Sequence, residues 1–286
     1  MTKLLQVPDG LKRKALKLAD EAGDVIIDCE SCYGACDLAV NEAKALGCDG
    51  IIHYGHSKFI ETDLPVEYNE VKEKTDISPF LKKIDVKEKK IGLVSSLQFM
   101  DSLKMVKAFL ENKGKEVKIG SGRFYPGQIL GCDVSSAKSI EKYVEAFLYI
   151  GSGHFHPLGL AFQTDKPVYF LNVEKNEMEN LKQLKEKFLK QRYAAVALAK
   201  DAKTFGILLS TKPGQLNLDL AKKIKKDLEA RGKKAYILAF NEIRPEKLEG
   251  LNLDCYVCTA CPRIALENRT EFKKPILNPD EIETFK

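Results

Sequence analysis

The residues best equipped for chemistry are eight cysteines, Cys29, Cys32, Cys36, Cys48, Cys132, Cys255, Cys258 and Cys261, in a chain of 286 residues. Thiols kept reduced bind metals or do redox chemistry more readily than they form disulfides. Two dense groups, Cys29-x-x-Cys32-x-x-x-Cys36 and Cys255-x-x-Cys258-x-x-Cys261, each have the form of a metal-ligand run. The second carries the C-x-x-C-x-x-C opening with which soft thiolates hold an iron–sulfur cluster. Pairing the two groups as a four-cysteine zinc site is also compatible with spacing alone. Neither arrangement accounts for Cys132 in its Gly-rich stretch Pro126-Gly127-Gln128-Ile129-Leu130-Gly131-Cys132-Asp133. Cys29 ends an expected strand, Cys255 lies inside another, and Cys48 follows Gly47 at a helix end. At such positions a thiol reads as small apolar packing.

The elements that must position these thiols recur three times. Short apolar strands are expected at 3–7, 91–95 and 205–210. Each leads through a turn into a stretch with apolar residues at helical spacing, at 11–22, 101–112 and 218–231. Second strands follow at 25–29, 116–119 and 235–239, the pattern of parallel βαβ units. Cys36-Asp37 and Cys132-Asp133 each begin an expected helical stretch, at the same spacing before Gly55 and Gly151. Those glycines close the strands 50–54 and 146–150, whose third counterpart, 254–257, runs into Cys258-Thr259-Ala260-Cys261-Pro262-Arg263. Closing strands at 64–68, 166–170 and 274–277 complete each copy. The fold class is therefore α/β, with three tandem homologous domains at 1–88, 89–200 and 201–286, each a small, mainly parallel sheet flanked by helices. Ligands of open parallel sheets collect beyond the carboxyl ends of the strands. The loops carrying Cys36, Cys132 and Cys261 fall there, as do Gly151-Ser152-Gly153-His154-Phe155-His156-Pro157 and Ser210-Thr211-Lys212-Pro213-Gly214-Gln215. If the three domains face a common centre, one cysteine from each can meet there.

Bulk properties narrow the classes of function. Hydrophobic residues at 44% and charged residues at 30% describe an ordinary globular chain. No apolar run reaches the roughly eighteen residues of a membrane span, and the polar start is unlike a secretory signal. A cytoplasmic location follows, with no membrane partner. The net charge of +5 is modest and its lysines lie along helical segments, which reads as solvated helix faces and not as a nucleic-acid stripe.

Three segments, taken in order, carry a family likeness. Cys32-Tyr33-Gly34-Ala35-Cys36-Asp37, Gly127-Gln128-Ile129-Leu130-Gly131-Cys132 and Thr259-Ala260-Cys261-Pro262-Arg263-Ile264-Ala265 resemble the signature blocks of diphthamide synthase. This is the archaeal 2-(3-amino-3-carboxypropyl)histidine synthase family. The resemblance spans essentially the whole chain, including its triplicated organisation. It implies one [4Fe–4S] cluster held by three cysteines, one from each domain, which match Cys36, Cys132 and Cys261 here. Cys32 and Cys258 fall outside that set, with a minor role such as holding a transient or damaged cluster left open. The resemblance also implies reductive cleavage of S-adenosylmethionine between sulfur and the γ-carbon. The 3-amino-3-carboxypropyl radical then adds to a histidine of translation elongation factor 2, and 5′-methylthioadenosine is released. An electron donor and a homodimer are implied as well. Conventional radical enzymes of this substrate carry a C-x-x-x-C-x-x-C run in one loop; this chain has none in that order.

Such a substrate needs a partner for its carboxylate. Arg263, Gln215 and the amides of 210–214, including Ser210 and Gly214, are candidates, because a turn entering a helix favours anions. His154 and His156 border the same crevice. Plainer roles stand beside these: 211–214 as a simple turn, His154 and His156 as loop supports, His53 and His56 in local hydrogen bonds, and Arg263 paired with Glu267. On sequence alone, an electron carrier with its cluster at 255–261 and a zinc-stabilised binding module also remain open.

Overall fold

The computed structural model describes residues 1–284. Its first sheet takes β1 (Lys3–Gln6), β2 (Val25–Ile27), β3 (Gly50–Tyr54) and β4 (Val66–Asn69) in the order β2-β1-β3-β4, all parallel. Helices α1 (Ala15–Ala22) and α2 (Val40–Ala45) cover opposite faces. Successive side chains of a strand point to opposite faces. Leu4 therefore packs with Val40 and Ala43 of α2, while Leu5 packs with Ala15 and Leu18 of α1.

The second sheet repeats this plan. It contains β5 (Lys90–Ser95), β6 (Glu116–Lys118), β7 (Ala146–Gly151), β8 (Val168–Asn172) and β9 (Glu177–Asn180) in the order β6-β5-β7-β8-β9. Its helices are α3 (Ser78–Leu81), α4 (Ser102–Asn112), α5 (Ser135–Ile140), α6 (Phe155–Gln163) and α7 (Lys182–Lys200). β7 is buried along its whole length because helices cover both faces. Leu148 and Ile150 meet α4, and Phe147 and Tyr149 meet α5 and α6. The antiparallel strand β9 is an addition that the repeat did not predict.

The third sheet comprises β10 (Thr204–Ser210), β11 (Lys234–Phe240), β12 (Cys255–Cys258) and β13 (Ile276–Leu277), ordered β11-β10-β12-β13 and parallel, with α8 (Leu218–Ala230) and α9 (Pro262–Leu266). Three sheets thus share one strand order, and the α/β class with a triplicated, mainly parallel layout is the observed architecture. Short-range packing groups the chain into two compact units, Met1–Glu70 with Gln191–Lys286, and Val71–Lys190. The first and third sheets belong to one unit and the second to the other. Ile77, Ile84 and Val86 pack into the second sheet's core, and Ala195 and Ala199 into the third's. No helix among the described residues is long and apolar enough to cross a membrane.

Several expected helix starts move. The stretch 11–22 is a 3-10 turn, Asp9–Lys14, before α1 begins at Ala15. Cys36 and Cys132 do not open helices; α2 begins at Val40 and α5 at Ser135. In both loops an aspartate competes for backbone donors, Asp37 accepting the Tyr33 amide at 3.2 Å and Asp133 the Ser135 amide at 3.0 Å. Each bond holds the chain in a turn and delays the helix.

The third sheet's core contains one costly ion pair. Arg192 on α7 is only 5% exposed. It donates Nε to Glu281 Oε1 at 2.7 Å, makes a second contact to Oε2, and donates Nη1 to the Ala265 carbonyl at 2.6 Å. Removing one partner leaves a buried charge alone. Arg192→Ala is expected to cost about 3–5 kcal/mol in urea unfolding, and the double variant Arg192→Met/Glu281→Leu much less.

Candidate functional site

The loop between β2 and α2 carries Cys32 and Cys36, and the unit containing the first and third sheets holds it from several sides. Gln6, at the end of β1, donates Nε2 to the Asp37 carbonyl at 2.8 Å and accepts the Ala39 amide at 3.4 Å. The turn after β10 closes on the same loop. The Gly214 amide donates to the Cys36 carbonyl at 2.9 Å. A Cβ at Gly214 would stand 2.5 Å from Cys36 Cα, so only glycine permits this approach. Gln215 Nε2 donates to Cys36 Sγ at 3.5 Å. Lys212 Nζ pairs with Asp37 Oδ1, both side chains being largely buried. Tyr33 OH adds a bond to Glu242 at 2.7 Å.

These contacts set the local electrostatics. Burial pushes the Cys36 thiol above its ordinary pKa, while the Gln215 bond draws it back. Burial also raises the Asp37 carboxyl, against the opposing pull of Lys212 and the Tyr33 amide. Cys32 is pushed up to about 12 by burial.

Cys132 is exposed on a loop stitched beside the end of β5, where Ile129 N donates to the Ser95 carbonyl at 2.9 Å. Helix α6 presses on this loop: His156 Nδ1 accepts the Gly131 amide at 3.0 Å, and a Cβ on Gly159 would lie 2.3 Å from the Gly131 carbonyl oxygen. His156 is therefore a loop support. His154 caps α6 in position and bonds Glu179 at 2.8 Å. Cys261 is half-buried in extended backbone just before α9, with Pro262 as the first helical residue. Cys258 closes β12 fully buried, its thiol raised to about 11 by burial.

The other sequence expectations divide. Cys48 and Cys255 are buried packing residues, as read. Cys29 is not: β2 stops at Ile27 and the thiol is exposed. Arg263 pairs with Glu267 at 2.5 Å. The turn 210–214 offers few open amides, because Thr211 donates to Phe240 O, Lys212 to Ser210 Oγ and Gly214 to Cys36 O. α8 starts only at Leu218 and is capped by its own Asn217 side chain. Sequence reasoning missed Lys212 and Gln6 as loop anchors. Lys212, in a Pro-Gly turn, carried a signal; Gln6, an amide ending an apolar strand, carried a fainter one.

Three parallel α/β repeats with thiols on the loops beyond their strands define a class of triplicated thiol-bearing proteins. The chain belongs to the diphthamide synthesis protein family, which it matches over residues 7–285. It is 39% identical to the 2-(3-amino-3-carboxypropyl)histidine synthase of Pyrococcus horikoshii, over 98% of this chain and 84% of that one. The synthase of Methanocaldococcus jannaschii is 29% identical over 99% of this chain and 83% of its own. The crystal structure of Dph2 from Pyrococcus horikoshii with a 4Fe-4S cluster superposes with a TM-score of 0.90 at 38% identity, covering 99% of this chain and 86% of that one.

Two outcomes follow from this geometry. Gly214→Ala forces the turn off Cys36 and should cost about 1–3 kcal/mol, with faster alkylation of Cys36 by iodoacetamide. The second concerns alkaline pH. An unfolded thiol ionises near 9.0, but burial pushes Cys255 up to about 12. Between these values the native state holds the extra proton, so stability is full below 9.0 and falls as pH rises. Above about pH 9 the urea midpoint should drop, and Cys255→Val should flatten that slope by up to about 1.4 kcal/mol per pH unit.

Proposed function

We propose that this chain transfers the 3-amino-3-carboxypropyl group of S-adenosylmethionine to a histidine of translation elongation factor 2, the first step of diphthamide biosynthesis, and releases 5′-methylthioadenosine. The observation that carries this reading is the 39% identity, over 98% of the chain, to a relative named for that synthase activity. We further propose Cys36, Cys132 and Cys261 as the ligands of a [4Fe–4S] cluster, one from each of the repeats 1–88, 89–200 and 201–286.

The residues present suit such a group. Each of the three thiols lies on a loop beyond a strand and none is fully buried, so none must lose its proton in a wholly apolar place. Cys36 already receives a hydrogen bond from Gln215, of the kind that tunes a ligating sulfur. When bound, a [4Fe–4S] cluster with three protein ligands supplies an open iron and the electron that cleaves the sulfur–Cγ bond.

The chain's own residues bind and orient. Gln215 and Gly214 fix the position of Cys36 from the third sheet, and Ser210 fixes the turn by accepting the Lys212 amide. His156 fixes the Cys132 loop through the Gly131 amide, and His154 fixes the start of α6 through Glu179. Arg263, half-exposed two residues beyond Cys261, is the proposed partner of the substrate carboxylate, exchanging Glu267 for it. The remaining proposed partners are an external electron donor, elongation factor 2 and a second copy of the chain as a homodimer, all in the cytoplasm.

The decisive measurement mixes the anaerobically reduced protein, S-adenosylmethionine and unmodified archaeal elongation factor 2. Mass gain on one histidine with methylthioadenosine released is expected. Single Cys→Ala changes at Cys36, Cys132 and Cys261 should each abolish the full cluster, read by iron content and visible absorption. Full cluster retention in Cys132→Ala overturns the ligand assignment.

A further inference from the structure

Beside the Cys36 loop, a second group of donors converges that the proposed cluster does not use. Cys32, His53 and His56 each offer one ligand atom, and the three atoms lie within 4.8 Å of one another. Cys32 is 4% exposed, His53 is fully buried and His56 is half-buried. The two histidines sit at the end of β3 and just past it, in the spacing His53-x-x-His56, and Cys32 comes from the loop after β2.

The hydrogen bonds around them decide which lone pairs are available. Gln6 must present its Nε2 to the Asp37 carbonyl and its Oε1 to the Ala39 amide. The same Oε1 lies 2.9 Å from His53 Nδ1, so that nitrogen carries the proton. His53 Nε2 is left as a bare acceptor, facing His56 Nδ1 at 3.0 Å. A metal-binding imidazole is arranged in this way, its other N–H held by a carbonyl-type oxygen that fixes tautomer and ring plane. The edge of Tyr68 holds the His53 ring from the side, at 5.7 Å between centroids. The thiol's hydrogen bond to the Gly34 carbonyl is long, at 3.7 Å.

We propose that Cys32, His53 and His56 form a mononuclear site for a borderline divalent transition metal, zinc being the type that one thiolate and two imidazoles favour. Three protein ligands leave a fourth position for water. On binding, the metal replaces the Cys32 thiol proton, which leaves to solvent. The proton shared by the two imidazoles moves to the outer nitrogen of His56. No electron is transferred. The metal would cross-link the loop carrying Cys36 to the end of β3. The site shares no ligand with Cys36, Cys132 or Cys261, so it stands or falls separately from the proposed cluster.

Cobalt(II) is the probe. In the full chain bearing Cys36→Ala, Cys132→Ala and Cys261→Ala, anaerobic titration should give one thiolate-to-cobalt charge-transfer band that saturates at one equivalent and is displaced by zinc. Adding Cys32→Ser should abolish the band, and adding His56→Ala should weaken binding by at least about tenfold. Melting followed by circular dichroism verifies that each variant is folded, and cobalt should raise the melting temperature only where Cys32 is present. In the cluster-loaded wild-type chain, one zinc per chain beyond the iron is expected, lost in His56→Ala with iron retained. A folded triple variant without the band, or a band that survives both Cys32→Ser and His56→Ala, overturns the proposal.

Discussion

The arrangement around Cys36 rests on one close approach, the backbone of the turn after β10 against the backbone of the loop after β2. The Gly214 amide meets the Cys36 carbonyl at 2.9 Å with no room for a side chain between them. A backbone contact of this kind fixes position more tightly than side chains can, because neither partner has rotamers to explore. The Lys212–Asp37 pair, desolvated on both sides, adds register: a slip of the turn would leave a buried carboxylate facing no cation. Two sheets far apart in sequence are thereby made to share one loop. The native position of the Cys36 loop therefore depends on contacts from the third sheet as well as the first.

That dependence explains what was legible in the sequence and what was not. Strand positions follow from local apolar periodicity, and β1, β3, β7 and β10 stand within a residue of their expected limits. Errors gather where a side chain captures the backbone. Asp37 and Asp133 look like helix openers by type, yet each holds a turn by accepting an amide nearby. Cys29 reads as packing only if β2 runs to it, and the strand ends at Ile27. Strand β9 pairs antiparallel at the sheet edge with an unremarkable polar sequence, Glu177-Met178-Glu179-Asn180, which offers no apolar alternation to read.

The long-range contacts were illegible for a different reason. Gln6 serves Asp37, Ala39 and His53 at once, and the local pattern of an apolar strand marks its last residue as a hub only by its being an amide. An amide can do this because it carries both a donor and an acceptor at fixed angle. A leucine there would pack as well and would orient nothing. The family blocks located the thiols, while the polar scaffold that aims them emerges only in three dimensions.

Exposure sorts seven of the eight thiols along a line that spacing does not draw, and Cys29, exposed beyond β2, lies outside it. Cys48, Cys255 and Cys258 are buried, and burial keeps the thiols of Cys255 and Cys258 protonated well beyond neutral pH. A thiolate there would sit in a largely apolar medium, and the nearby Arg192 charge offsets only part of that cost at Cys255. Cys132 stands in solvent and Cys261 is half-buried, while burial raises the half-buried Cys36 thiol and the Gln215 hydrogen bond opposes that rise. Cys32 is the instructive exception, as deeply buried as the packing thiols but facing two neutral imidazoles in place of aliphatic carbon. Desolvation opposes a bare thiolate and not a metal–thiolate bond, whose opposite charges travel into the interior together. Burial alone therefore marks Cys255 as inert packing, whereas burial beside two imidazoles that share one movable proton makes Cys32 a ligand in waiting.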